Sequence, residues 1–273
     1  MLGSSEAEWR RLREQHRLWR PHLLDTLSRL HLRPGDHVLD AGCGVGTMLP
    51  DLARVVGESG RVVGVELDAP SAVAARSAAT EHPNVMVLEG DLREVPLGGP
   101  YDLIISRWVF SFLGEPEATL AHLTEALRPG GLLLVIDYIH DPCRAYPEHP
   151  AIQRVILAYR QLYADRGGDL FIAGRLPQHF VEAGLELAEV DPCSLAGPPG
   201  SPAWRWIERF LFQHLDTLTE SGLLSAQERA DFVAAWASLV ATPGAVIFTP
   251  TVVSVVGRRP TPGPERPHPP EMG

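Results

Sequence analysis

The residues best suited to chemistry form an ordered series: Asp40, then Gly42, Gly44 and Gly46, then Glu66, then Asp91. The first four lie in HVLDAGCGVGTMLPDLARVVG, where a short apolar run passes through three glycines into helix-like sequence. A glycine turn between strand and helix lets a ligand approach the backbone, and the helix N-terminus offers free N–H groups and partial positive charge. Phosphate is a common guest of such loops. A phosphate loop of the nucleotide-hydrolase kind needs GxxxxGK, yet all 24 basic residues of this chain are Arg. A dinucleotide loop needs GxGxxG, and Thr47 stands where the third glycine belongs. The spacing is GxGxG, and the carboxylate of Asp40 beside it repels a pyrophosphate and attracts an ammonium group.

Glu66 ends the next strand-like run, where a carboxylate can accept both hydroxyls of a ribose; Leu67 adjoins it in the same seat. Asp91 follows a third run in EGDL, placed to accept from an adenine amino group, with Leu92 to cover the ring. S-adenosylmethionine has an amino-acid end, a ribose and an adenine, and no phosphate. The ordered set resembles the class I S-adenosylmethionine-dependent methyltransferases, in particular the small-molecule type of bacterial natural-product and quinone metabolism. VLDAGCGVG, VVGVEL, EGDL and the turn and strand RPGG-LLLVID carry the likeness. It covers residues 33–140 closely, then residues 176–190 and the last strand more loosely. Glu66 is a local departure, since many members have Asp there. The resemblance implies a Rossmann-like α/β fold, a seven-stranded sheet with helices on both faces and a helical cap. It also implies an S-adenosylmethionine seat made by Asp40, Gly42, Gly44, Gly46, Glu66, Leu67, Asp91, Leu92 and Arg107.

Methyl transfer from a sulfonium needs alignment and exclusion of water more than it needs acid or base. A base matters when the acceptor is a hydroxyl, a protonated amine or a weakly acidic carbon. Asp137, Tyr138 and His140 follow the fifth strand, and His140 is the preferred base because imidazole titrates near neutral pH. Arg107 and Trp108 end the fourth strand near the expected methyl; Arg107 either steers an anionic acceptor or pairs with a helix acid. Residues 106–110 read SRWVF, without the Asn/Asp-Pro-Pro-Tyr of enzymes that methylate nucleobase amines or Gln amides. With a net charge of -10 and a pI near 5.5, this argues against stable nucleic-acid binding. A small-molecule acceptor is therefore expected. A protein or RNA substrate, or a non-catalytic or ring-closing S-adenosylmethionine-binding protein, are the alternatives; an NAD-dependent oxidoreductase is disfavoured by Thr47 and Asp40.

The elements that must hold these residues alternate. Apolar strands at 37–40, 61–67, 84–91, 101–107 and 132–137 are separated by helices, the pattern of a parallel sheet covered on both faces. Residues 1–32 read as a helical lid, one or two helices broken near Pro21, with Arg10, Arg13, Arg17 and Arg20 on one face. Residues 33–141 form the cofactor core, 142–175 a helical insertion, 176–192 a return to the core and 193–244 a helical cap. Residues 245–258 read as the last strand, bent at Pro250, and the Pro-rich stretch 259–273 as a disordered tail. Tyr138, Tyr159, Tyr163, Phe171, Trp204, Trp206, Phe210, Phe212 and Trp236 either fill the core of the insertions or line an apolar acceptor pocket. Cys43, Cys143 and Cys193 form no CxxC pair, and the His residues show no ligand spacing, so no metal is expected. A charged N-terminus and the lack of a long apolar run point to a cytoplasmic monomer or homodimer.

Overall fold

The computed structural model describes residues 5–262. In chain order the core runs α1 (Glu6–Arg29), β1 (His37–Ala41), α2 (Leu49–Val56), β2 (Arg61–Glu66), α3 (Ala69–Ala78), β3 (Val85–Glu89), β4 (Tyr101–Arg107), α4 (Pro116–Ala126) and β5 (Leu127–Ile139). Then follow β6 (Arg144–Tyr146), α5 (Pro150–Asp165), α6 (Leu176–Glu182), β7 (Glu186–Cys193), β8 (Ala196–Gly197), α7 (Pro202–Glu220), α8 (Ala226–Ala241), β9 (Val246–Phe248) and β10 (Thr251–Arg258).

Seven strands make one sheet in the order β3-β2-β1-β4-β5-β10-β7. The first five are parallel, and β10 runs antiparallel to both its neighbours. Alternate residues serve opposite faces: Leu103 and Ile105 join α1, α2 and α3 on one side, while Ile104 joins α4 and α6 on the other. That double burial is why these strands are apolar almost throughout. The order in which strands are added to the sheet reverses between β1 and β4, so the loops leaving those two parallel strands diverge and open a crevice at their C-terminal ends.

Three sequence expectations are corrected. First, α1 is one continuous helix through Pro21. Proline inside a helix costs roughly 3 kcal/mol; here the helix also buries Trp19, Leu23 and Leu27 against the sheet, and Ser5 caps its start. Secondly, RPGG is part of β5 rather than a turn before it, because Gly130 N donates to Arg259 O and Arg259 N donates to Gly131 O. Thirdly, residues 245–256 hold two strands in two sheets. Pro250 separates β9 from β10, and β9 pairs antiparallel with β6 and β8 in a second, three-stranded sheet. That small sheet knits the first insertion to the second, and α5, α7 and α8 pack together beside it. The expected disordered tail lies mostly outside the described residues. Among the described residues no helix is long and apolar enough to cross a membrane.

Candidate functional site

A cavity of about 480 Å³ occupies the crevice between β1 and β4 and continues under α1 and α7. Its floor is the glycine loop, and its roof is the lobe made by the insertions. Gly42 and Gly44 line it. A Cβ on Gly44 would meet nothing within 4 Å, which leaves that backbone bare toward the cavity. Gly46 does not line it. Gly46 holds φ +75°, and a Cβ there would come 2.8 Å from Ala75 Cα, so this glycine brings α3 against the loop. Trp108, after β4, adopts φ +57°, a strained value for a bulky residue, and its ring lies under the Arg107 guanidinium at 4.5 Å.

Asp40 is wholly buried at the end of β1, and neither of its carboxylate oxygens has a hydrogen-bond partner. It does not cap α2, whose N-cap is Met48. Burial pushes its pKa up to about 7, against the pull of Arg107. Arg107 is buried too, with Nη1 unpartnered, and burial lowers its pKa to about 10. An unsatisfied anion and an unsatisfied donor on a cation thus lie close behind the same loop. Buried charges left this way cost several kcal/mol unless a ligand completes them. A zwitterionic amino-acid group fits that need, and the bare backbone at Gly44 fits a ligand running on from it. Arg107 also donates to His16 Nδ1 (3.0 Å), and His16 Nε2 meets Asp51 Oδ2 at 3.3 Å. Because guanidinium only donates, His16 must carry its proton on Nε2, facing Asp51. Asp51 further accepts from Arg20 through both oxygens and from Arg54. Burial alone would raise the Asp51 pKa, but His16 and Arg20 outweigh it and hold this carboxyl well below its usual range.

Glu66, Leu67, Asp91 and Leu92 line the opposite end of the cavity. The Glu66 carboxylate accepts from Gly44 N (2.8 Å) and Asp68 N (2.9 Å), so it organises the loop as well as facing the cavity. Asp91 accepts two hydrogen bonds from the Arg93 side chain, which lower its pKa to about 2.

Tyr138, His140, Tyr159, Tyr163, Trp206 and Phe210 line the part of the cavity under the lobe. Phe171, Trp204, Phe212 and Trp236 do not. Trp204 and Trp236 pack with Phe232 in the interior of the lobe, Phe212 packs on Phe232 and Trp236 from the exposed side, and Phe171 lies under Arg160. Tyr138 stacks on Trp108 with centroids 6.0 Å apart and planes 11° apart, and faces Trp206 at 6.4 Å. His140 is buried; its Nδ1 accepts from Arg160 Nε at 3.2 Å. Burial first, then the Arg160 charge, pushes its pKa down to about 3, so its ring is neutral at physiological pH. Asp137 is sealed below, accepting from Ser111 N and Tyr138 N, and burial raises its pKa to about 7.

Sequence reasoning missed the cavity-facing side of α1. Glu8, Arg11 and Gln15 are buried, and Arg11 and Gln15 line the cavity, while Arg10 and Arg17 on the other face are exposed. The signal was there as polar residues spaced three and four apart within an apolar stripe that includes Leu12 and Trp19. The apolar residues after β4 that line the cavity, Val109, Phe112 and Leu113, were also missed.

Residues 38–131 match a family model described as a methyltransferase domain. The chain is 33% identical over 151 residues to the malonyl-[acyl-carrier protein] O-methyltransferase of Halalkalibacterium halodurans, covering 54% of this chain and 53% of that protein. It is 38% identical over 111 residues to the trans-aconitate 2-methyltransferase of Deinococcus radiodurans, covering 41% of each. The chain spans about half the length, or less, of these curated relatives. A crystal structure from Bacillus halodurans C-125, described as a methyltransferase, superimposes with a TM-score of 0.60 over 88% of this chain and 99% of the other, at 20% identity, which is a likeness of fold. With the glycine loop, the acids at the strand ends and the sheet order on the page, these matches show a methyltransferase domain over residues 38–131 set on a Rossmann-like α/β fold.

Proposed function

We infer that the protein transfers a methyl group from S-adenosylmethionine to a small-molecule acceptor held under the helical lobe. The observation that carries this reading is one continuous cavity. It joins a loop backed by an unpaired buried Asp40 and Arg107 to a chamber walled by Trp108, Tyr138 and Trp206. When bound, the cofactor supplies an electrophilic methyl on a sulfonium leaving group. The chain's own part is to bind, orient and exclude water. Asp40 takes the ammonium of the amino-acid end, and Arg107 Nη1 takes the carboxylate. Glu66 and Leu67 take the ribose, Asp91 and Leu92 the adenine. Helix α1 and the lobe close the far side, so the reacting atoms meet away from bulk water. The lobe is apolar and enclosed, which supports a small acceptor over RNA or protein. The name of one relative, which mentions trans-aconitate, agrees with an acceptor of modest size.

The test has two parts. Calorimetric titration with S-adenosylhomocysteine and with NAD should give binding of the first alone. Methyl-labelled S-adenosylmethionine should then label a small-molecule extract and leave RNA and protein unlabelled. Binding of NAD, or label on macromolecules, would sink this reading; cofactor binding with no labelled product would point to a non-catalytic protein.

A further inference from the structure

Two arginines fix the proton positions of the polar groups in the acceptor chamber. Arg160 donates from Nε to His140 Nδ1, and its Nη2 donates to the His140 carbonyl at 2.7 Å. A guanidinium has no lone pair to offer, so Nδ1 is the acceptor and the ring proton must sit on Nε2. Among the described residues Nε2 has no partner, and it is not one of the polar atoms sealed from the cavity. The second arginine acts at a distance. Arg11 is held by both oxygens of Glu8, through Nε (2.9 Å) and Nη2 (2.7 Å), and its Nη1 donates to Gln15 Oε1 at 2.6 Å. That fixes the Gln15 amide with its NH₂ toward Tyr138 Oη, which accepts at 2.8 Å. The Tyr138 hydroxyl is thereby left to donate its own proton. The two side chains stand two residues apart at the end of β5 and line the same cavity.

Among the described residues no free carboxylate lines the chamber beside these donors; Glu66, Asp68 and Asp91 stand at the opposite end of the cavity. Glu8 is occupied by Arg11 and by Gln213 Nε2, and Asp137 is sealed behind backbone N–H groups. From this arrangement, and resting on the methyl-transfer reading above, we propose that His140 Nε2–H and Tyr138 O–H are a fixed pair of donors that receive an oxyanion of a planar acceptor in the cavity they line. The acceptor enters already ionised, as a phenolate, enolate or carboxylate, and His140 recognises it and does not take its proton. This replaces the role of base expected for His140 from sequence. Arg160 and Arg11 are positioning residues that act through His140 and through Gln15.

The tautomer is directly observable. Long-range ¹H–¹⁵N correlation spectra of the ¹⁵N-histidine-labelled full chain should show His140 protonated on Nε2 alone, unchanged from about pH 5 to about pH 8. Arg160 of α5 donates to its Nδ1 and Tyr159 of α5 lies 6.0 Å from its ring; burial holds the Tyr159 hydroxyl well above its ordinary value, so it keeps its proton in that window. A proton on Nδ1, or titration near the usual histidine value, overturns the proposal. The second readout uses 4-nitrophenol, whose visible band reports its ionisation, added to protein saturated with S-adenosylhomocysteine. It should bind as the phenolate and more tightly than 4-nitroaniline. H140F should weaken it roughly tenfold or more, and H140Q, which keeps a donor, should restore most of that loss. Binding as the neutral phenol, preference for the aniline, binding of neither, or equal affinity in H140F overturns the proposal. Arg160→Met, chosen in case H140F is misfolded, should release the tautomer, so that a proton appears on Nδ1 as well as on Nε2; an unchanged spectrum overturns it as well. Failure of S-adenosylhomocysteine to bind at all strikes the methyl-transfer reading separately, because the tautomer spectra need no ligand.

Discussion

Asp40 carries the clearest consequence of a single side chain. Its pKa is raised to about 7 in the folded protein, against an ordinary value near 3.8. A carboxyl raised on folding favours the native state at low pH, and that contribution is lost as pH climbs from about 4 to about 7. Asp137, likewise raised to about 7, acts in the same direction. Asp51 acts oppositely: held below its usual range, it supports the fold above the unfolded value and withdraws that support only in strong acid. An ammonium-bearing ligand needs Asp40 ionised. Affinity for S-adenosylhomocysteine is therefore expected to rise up to roughly tenfold per pH unit from about 5 to 7, then level off. Calorimetry across that range checks it, and a flat profile removes Asp40 from the cofactor seat. Asp40→Asn should flatten the profile and weaken binding by tenfold or more, as expected for a lost charged hydrogen bond of about 1.5–3 kcal/mol. The same variant should melt higher than the parent above about pH 7 without ligand, because it no longer buries a charge. A lower melting point there would contradict the burial argument.

At the scale of elements, one close approach shapes the loop and one polar cluster ties α1 to α2. Gly46 lets α3 approach within 2.8 Å of a would-be Cβ, at a backbone φ of +75°. Gly46→Val is expected to cost about 2–4 kcal/mol, from the left-handed backbone and the clash together; chemical denaturation measures it, and a loss below about 0.5 kcal/mol would refute the packing role assigned to this glycine. Helix α1 is joined to α2 through Arg20, His16 and Asp51. Asp51→Asn should cost about 2 kcal/mol and speed amide exchange in the first half of α1 more than in the sheet; uniform protection would show that the helix is held by its apolar face alone. This is also the scale at which the limits of sequence reading are plainest. The strands from β1 to β4 were legible because double burial writes continuous apolar runs and glycine turns bound them. The break expected at Pro21 did not occur, because local propensity yields when Trp19, Leu23 and Leu27 are buried by neighbours remote in sequence. The division of residues 245–256 between two sheets was invisible, since β6 and β8, the partners of β9, are three and two residues long. Proton positions on His140 and Gln15 were beyond reach as well, for they depend on which arginine lies opposite. A histidine judged by its intrinsic pKa looks like a base; the same histidine facing Arg160 is the donor proposed above.

For the whole molecule, the proposed cofactor seat belongs to the sheet and the proposed acceptor chamber to the lobe, and the two are expected to be energetically separable. Trp206 is nearly buried on α7 and faces both Tyr138 and Trp19. Trp206→Ala should lower stability by about 3–5 kcal/mol and abolish recognition of a planar acceptor, while S-adenosylhomocysteine affinity in the folded fraction changes less than about twofold. A parallel loss of both affinities would mean that the chamber and the seat are one unit. The lobe itself is indivisible in another sense. Its two halves leave the sheet at different points in the chain, yet β9 is flanked by a strand from each. Exchange of one half with a related protein would strand an unpaired ribbon edge in the recipient. A chimera that retunes the proposed acceptor choice must therefore carry residues 142–175 and 193–250 across together, and selection acting on this protein would face the same constraint.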